Sequence, residues 1–436
     1  MTTLGKAPHD RLFVASVTPW TDDGELDEAG FRALLRYFVS SSDAVDDFGI
    51  IVNPEAGEVF YLSPDEQAHV VEAALDEVGG QLPLWTGLLA NSTRDMVALA
   101  ERLTAIEVKG HRVGGLFVMP PIGALDLTIA RDADRYPEVW QDMLAEVAAA
   151  LPDVPLICHP VAAPTPAYGI GLPVEATVSI LNAIPQITDW KMTYSYEGYR
   201  RISRALRGLD RHVGVLGATA VNFHENLASG TFDGTVTGSF NYALEPMLDH
   251  LRAWRDGDHA CALKIWDDGL AQLHEYVYSE WGRLHVRYNT ATWLRGVIAT
   301  PWMRAPLPKP RREEVVKLRD LLAGAGLAVI DQQHVDEVIS QLKAYLRCSR
   351  RLFANGADAG IRRPGMDSRP TARQQGANFW SARDRVEQGL TEDLDAEQCK
   401  QFLALLEQAE TTLARLAARH FDHPPGAYVG ETSANS

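Results

Sequence analysis

The chain has 436 residues, 46% of them apolar and 23% charged, enough for a sizeable core and incompatible with wholesale disorder. A formal charge of −17 with a pI near 5.2 excludes the basic face that a nucleic-acid binder needs. The four cysteines, Cys158, Cys261, Cys348 and Cys399, lie far apart with no CxxC pair, so neither a zinc site nor a disulfide framework is indicated. The first residues carry no apolar targeting segment, and no later run reaches membrane-spanning length. A soluble cytoplasmic protein with reduced thiols is expected, with no membrane and no nucleic-acid partner.

Read in order, the chain alternates short apolar runs with segments of helical periodicity. Residues 12–17 form a strand-like run, followed by Asp27 as an N-cap and by Phe31, Leu34, Leu35 and Phe38 at helical spacing. Residues 48–52 repeat the pattern, and Ser63-Pro64-Asp65-Glu66 combines an N-cap, a proline at the first helical position and a capping-box acid. Strand-like runs recur at 82–87, 115–119, 154–158, 187–193, 212–216 and 232–237, each with a helical pattern after it. About eight βα units in some 250 residues predict an α/β fold of the (β/α)8 barrel type. An open doubly wound sheet fits less well, because the first turn lacks a GxGxxG.

Further helices are expected over 260–277, 290–298 and 312–322. The composition shifts near residue 331, so the expected division is a barrel with its closing helices at 1–330, a helical extension at 331–423 and a disordered tail at 424–436. The middle of the extension is rich in Gly, Pro and Arg. Its basic cluster at Arg347, Arg350, Arg351, Arg362 and Arg363 reads as a solvated or acid-paired face.

One amine stands out. Lys191 sits near the end of the apolar run 187–193, where loss of hydration lowers an ammonium's pKa toward the range in which the free amine attacks a carbonyl. The alternative is a strand-end lysine that snorkels to solvent. In a barrel the C-terminal ends of the strands carry the chemistry, which brings Lys191, His159 and the loop 53–58 to one mouth.

The opening Val14-Ala15-Ser16-Val17-Thr18-Pro19-Trp20 and Gly57-Glu58 with Leu62-Ser63-Pro64-Asp65-Glu66 resemble the dihydrodipicolinate synthase and N-acetylneuraminate lyase family of Schiff-base barrels. So do Gly87 with Asn91-Ser92-Thr93, and Gly234, Thr237 and Asn241. The resemblance spans roughly residues 10–327. It implies that Lys191 is the imine-forming lysine, that Glu55, Ala56, Gly57, Thr193, Thr237 and Asn241 surround the substrate, and that the protein is a homo-oligomer. The chain also departs from the family pattern. Glu55-Ala56 stands where the family has a threonine pair, His159 where the fifth strand ends in a catalytic tyrosine, and Pro164 or its neighbours where the synthases bind a second carboxylate with arginine. The fourth-strand tyrosine falls on Pro121 or Ile122.

The expected activity is therefore that of a carbon–carbon lyase or aldolase working through a Lys191 imine on a 2-keto acid or other small carbonyl compound, and not dihydrodipicolinate synthesis. A hydratase or dehydratase of a sugar-derived keto acid would use the same imine, and a barrel that has lost catalysis and only binds a carbonyl ligand or partner is the rival of another class. His159 is the candidate acid/base, or else a strand-end imidazole bonded to backbone. Glu55 is a general base, a binder of a cationic or hydroxylated group, or a rim carboxylate facing solvent. Glu58 is assigned to holding its loop, and Tyr194 or Tyr196 is the alternative source of a phenol. The histidines His111, His159, His212 and His224 are scattered with no HExxH, and there is no Walker-type loop, so neither a metal nor another cofactor is expected.

Overall fold

In a computed structural model the described residues are 10–42, 48–120, 133 and 135–340. The chain divides into two compact units, Met1–Cys348 and Ser349–Ser436, and the described residues belong to the first. The basic cluster from Arg347 onward, Pro121, Ile122 and the part of the expected extension beyond residue 340 lie outside the described residues.

Eight parallel strands close a barrel. They are β1 (Arg11–Ala15), β2 (Phe48–Val52), β3 (Leu84–Leu88), β4 (Leu116–Val118), β5 (Leu156–Cys158), β8 (Ile187–Met192), β9 (Gly214–Gly217) and β10 (Gly234–Thr237), and β10 pairs back onto β1. The two strands omitted from that order, β6 (Val161–Thr165) and β7 (Gly169–Gly171), form a separate antiparallel hairpin directly after β5. The barrel strands are buried along nearly their whole length, as parallel strands covered on both faces must be.

The helices on the outside are α1 (Glu28–Ser42), α2 (Pro64–Val78), α3 (Thr93–Ala105), α4 (Glu138–Ala150), α5 (Val174–Ala183), α6 (Tyr196–Arg207), α7 (Phe223–Ser229) and α8 (Phe240–Arg255). Local chemistry starts several of them. Asp27 accepts the Gly30 N–H, Ser63 and Glu66 form a complete capping box, and Ser92 and Ser195 cap α3 and α6.

Beyond the barrel the helices depart from the sequence expectation. The span read as one helix over 260–277 is two, α9 (His259–Ile265) and α10 (Ala271–Tyr278), separated by a wide turn at Trp266–Leu270. Gly269 breaks the helix there with φ of 129°, a backbone conformation that a side chain would not tolerate. The helix expected over 290–298 is α11 (Leu284–Leu294), which starts earlier because it is buried on all sides and shows no amphipathic stripe to read. The helix α12 (Arg312–Gly324) is close to its expected bounds.

A buried ion cluster ties α11 to α12. Glu314 accepts from Arg283 Nε at 3.0 Å and Arg287 Nε at 3.1 Å, and its second oxygen takes a further Arg283 nitrogen. Arg287 also donates to the Tyr276 carbonyl at 2.7 Å and to Ser279 Oγ at 2.9 Å, so the end of α10 is held by the same cluster. All three charged side chains are buried. Removing the carboxylate would strand two guanidinium groups away from water, which costs about 3–5 kcal/mol. Glu314→Ala is accordingly expected to lower the unfolding free energy by about that amount in chemical denaturation, whereas a loss below about 1 kcal/mol, typical of an exposed pair, would contradict the cluster's role.

Candidate active site

The C-terminal mouth of the barrel holds a cleft of roughly 440 Å³ whose walls include Glu55, Ala56, Lys191, Thr193, Tyr278 and His285. The strand register explains why the lysine is there. Asp189, Lys191 and Thr193 alternate along one side of β8 and its continuation. Asp189 is paired with Arg11 below, while Lys191 and Thr193 face the cleft. Lys191 is buried, with Nζ 3.4 Å from Glu55 Oε2 and 5.2 Å from the centre of the Phe117 ring.

Glu55 reaches the lysine because the chain leaving β2 turns sharply. Asn53 and Glu58 both occupy the left-handed region, at φ of 54° and 59°, and flank the one-turn helix Glu55–Gly57. The Asn53 side chain donates to the Gln67 carbonyl at 2.9 Å and to Thr86 Oγ1 at 3.2 Å. The turn also needs Gly87, since a Cβ there would lie 1.8 Å from the Asn53 carbonyl oxygen. Glu58 anchors the far side as expected, accepting from Trp20 Nε1 and the Arg304 N–H, both at 2.9 Å. Burial pushes its carboxyl up to about 8 against those two bonds.

His159, the first residue after β5, is fully buried and stacks on Phe117 with centroids 5.5 Å apart. Its Nε2 is 2.9 Å from Thr193 Oγ1. Its Nδ1 is 3.1 Å from Glu55 Oε2, an ion-pair distance without hydrogen-bond alignment. Amine, carboxylate, imidazole and hydroxyl thus form one continuous chain: Lys191, Glu55, His159, Thr193.

Burial and charge set the protonation of this chain. Burial pushes the His159 imidazole down to about 3, and it lowers His285 as well, so both rings are neutral at neutral pH. Burial also lowers the Lys191 ammonium, opposed by the attraction of Glu55. Burial would raise the Glu55 carboxyl, but the positive charge available from His159, Lys191 and His285 holds it at about 2. With both rings neutral, the attraction that keeps Glu55 ionised near neutral pH comes from Lys191.

Several sequence expectations find other places. Asn241 is fully buried and its amide is spent on backbone, accepting from the Val17 N–H at 3.0 Å and donating to the Ala15 and Gly238 carbonyls at 2.8 and 2.7 Å. It closes the β10–β1 seam and is not presented to a substrate. Gly57 lies behind the cleft, its carbonyl accepting from Thr18 Oγ1 at 2.8 Å. Thr237 is also buried, and its hydroxyl meets the cleft only through Tyr278 Oη at 2.9 Å. The alternative phenols are elsewhere: Tyr194 Oη accepts from Trp190 Nε1 at 3.0 Å, and Tyr196 is exposed on α6. No arginine occupies the β6–β7 hairpin around Pro164.

The phenols that do line the cleft come from beyond the barrel. Tyr278 and Tyr288 share a 2.6 Å hydrogen bond, and with Trp281 and His285 they close the side facing Lys191. Sequence reasoning passed over all four. Their spacing of three, four and three residues is the signal that could have found them, although they span the end of α10, the turn after it and the start of α11.

Fold and site together define a (β/α)8 barrel with a buried amine paired to a carboxylate at its mouth. The family model for the dihydrodipicolinate synthetase family matches residues 8–120. A relative from Thermofilum pendens described as an uncharacterized DapA-like lyase is 26% identical over 314 residues, covering 72% of this chain and 96% of its own length. Among solved structures, dihydrodipicolinate synthase from Aquifex aeolicus is similar at a TM-score of 0.60 and 22% identity, covering 74% of this chain and 99% of that one. The N-acetylneuraminate lyase of Proteus mirabilis is similar at 0.60 and 18%, covering 73% and 99%. At these identities the two structures show the shared fold. The chain is thus similar to proteins of the dihydrodipicolinate synthase and N-acetylneuraminate lyase family, with the family model itself matching residues 8–120.

Because Glu55 opposes the effect of burial on Lys191, Glu55→Gln should lower the Lys191 pKa further, leaving desolvation unopposed. The pH dependence of Lys191 acylation by a small anhydride, followed by peptide mass spectrometry, is expected to shift to lower pH in the variant. An unchanged or upward shift would show that the two groups do not interact as described.

Proposed function

We propose that the protein is a Schiff-base-forming carbon–carbon lyase of the aldolase type, acting on a small carbonyl substrate through Lys191 and distinct from dihydrodipicolinate synthesis. The observation that carries the reading is the buried Lys191 amine with Glu55 Oε2 at 3.4 Å on the wall of an open cleft. The neutral amine attacks the carbonyl carbon, forming an N–C bond. Uptake of a proton and loss of water then leave a cationic imine. The imine accepts the electron pair of a carbon–carbon bond one carbon away as that bond breaks, and the resulting enamine is reprotonated on carbon before water releases the product.

Glu55 has two tasks in this sequence. Its carboxylate stabilises the positive imine at close range in a poorly hydrated site, and it accepts the proton that the ammonium gives up before attack. His159 does not line the cleft, so it acts as a positioning group: its Nε2 holds the Thr193 hydroxyl at 2.9 Å, and its ring packs beside Glu55 Oε2 at 3.1 Å. Tyr278 and Thr193 are the hydroxyls placed to serve the carbinolamine oxygen. Removal of an α-proton from the intact imine in place of carbon–carbon cleavage would give an enamine that expels a β-hydroxyl as water, which would make the enzyme a dehydratase.

Two substitutions support the exclusion of dihydrodipicolinate synthesis. A carboxylate stands at Glu55 where a 2-keto acid's own carboxylate would be received, and the hairpin around Pro164 carries no arginine for a second one. Retention of the amine, carboxylate and imidazole as one contiguous chain favours an active enzyme over a barrel that has lost catalysis.

Incubation with small aldehydes, ketones and 2-keto acids followed by borohydride reduction should leave a mass-shifted Lys191 peptide with at least one carbonyl class. Lys191→Ala should abolish the adduct, and His159→Gln should slow its formation. Absence of an adduct from every carbonyl tested would end the imine reading, and an undiminished adduct in Lys191→Ala would move the chemistry to another lysine.

A further inference from the structure

We infer that the carbonyl compound taken by this site carries no carboxylate on its carbonyl carbon and bears instead a flat aromatic or conjugated substituent. The inference rests on the Lys191 imine reading and adds to it the chemical class of the substrate.

The first observation is electrostatic. Any carbonyl carbon bonded to Lys191 Nζ is brought next to Glu55 Oε2, which lies 3.4 Å from that nitrogen, so a carboxylate on the same carbon would meet a like charge at van der Waals range. Relief would require another cation. Among the described residues lining the cleft there is neither an arginine nor a second lysine, and the imidazole there, His285, is lowered by burial and neutral near pH 7. Ala56, the neighbouring residue of the turn, brings no side-chain donor to the wall.

The second observation is the opposite wall. Tyr278, Trp281, Leu284 and Tyr288 line the cleft, and Gly238 leaves room for the Tyr288 ring, since a Cβ there would lie 2.3 Å from it. Trp281 keeps 58% of its surface exposed although it belongs to the cleft. An exposed indole at the edge of an enclosed site is surface that a flat apolar ligand covers. A π-face in the wall and a carboxylate beside the amine select the same molecule: an aldehyde or ketone that keeps the tetrahedral α-carbon the bond cleavage needs, its carbonyl at Lys191 and an aryl or conjugated group against Trp281.

Borohydride trapping on the intact chain separates the two observations. Pyruvate and methyl pyruvate differ in the charge beside the carbonyl, while benzaldehyde and propanal differ in the aromatic ring. Each is titrated against Lys191 adduct formation and normalised to its rate with free N-acetyl-lysine amide. Methyl pyruvate is expected to be trapped at least tenfold more effectively than pyruvate, and benzaldehyde at least tenfold more effectively than propanal. Glu55→Gln should shrink the first ratio and Trp281→Ala the second, each at least fivefold. Pyruvate trapped as well as its ester, or a benzaldehyde preference that survives Trp281→Ala, would overturn the substrate class while leaving the imine intact. Absence of any adduct from all four compounds would overturn both.

Discussion

A primary amine buried at the mouth of the barrel, with a carboxylate held against it, is the constraint on which the rest of the site depends. Burial alone would lower Lys191, and burial alone would raise Glu55. Placed 3.4 Å apart, each offsets the other's desolvation, so the pair can be charged at rest and can exchange a proton when a carbonyl arrives. That balance requires the carboxylate to be held in place. Asn53 and Glu58 in left-handed conformations, Gly87 making way for the Asn53 carbonyl, and Glu58 bonded to Trp20 and the Arg304 backbone all fix the Glu55 turn. Much of the framework around the amine therefore serves to aim one carboxylate, and the residues that carry the family resemblance at Gly57-Glu58 are structural ones.

The fold was readable because its cues are local. Apolar runs of strand length, proline and capping residues ahead of each helix, and the count of βα units need no knowledge of pairing, and they placed nearly every barrel strand within two or three residues. What could not be read follows from the same fact. The β6–β7 hairpin has neither a strong alternation nor a turn signal, and its pairing is long-range information. The helix α11 is buried all round, so its start at Leu284 leaves no polar face to mark it. The break at Gly269 depends on a single backbone angle.

The site was legible to the extent that strand ends dictate it. Lys191, Thr193, Glu55 and Ala56 meet as the rule for barrel mouths requires, and His159 stands behind them. Asn241 and Gly57 were placed at the substrate by resemblance alone, and the coordinates give them to the framework. Tyr278, Trp281, His285 and Tyr288 were missed because they follow the barrel in the chain, where attention to strand ends does not reach. Their position gives the site a division of labour. The barrel supplies the reacting groups, and the helices after it, pinned by the Arg283–Glu314–Arg287 cluster, supply the wall that reads the remainder of the substrate. A barrel built this way can thus keep the amine while changing what it meets.

The most direct test is a crystal structure of the protein soaked with a small aldehyde and reduced in place. The account predicts continuous density from Lys191 Nζ to the former carbonyl carbon, with the Glu55 carboxylate within hydrogen-bond reach of that nitrogen. An aldehyde seated in the cleft with Nζ unbonded and the Lys191–Glu55 pair undisturbed would contradict it.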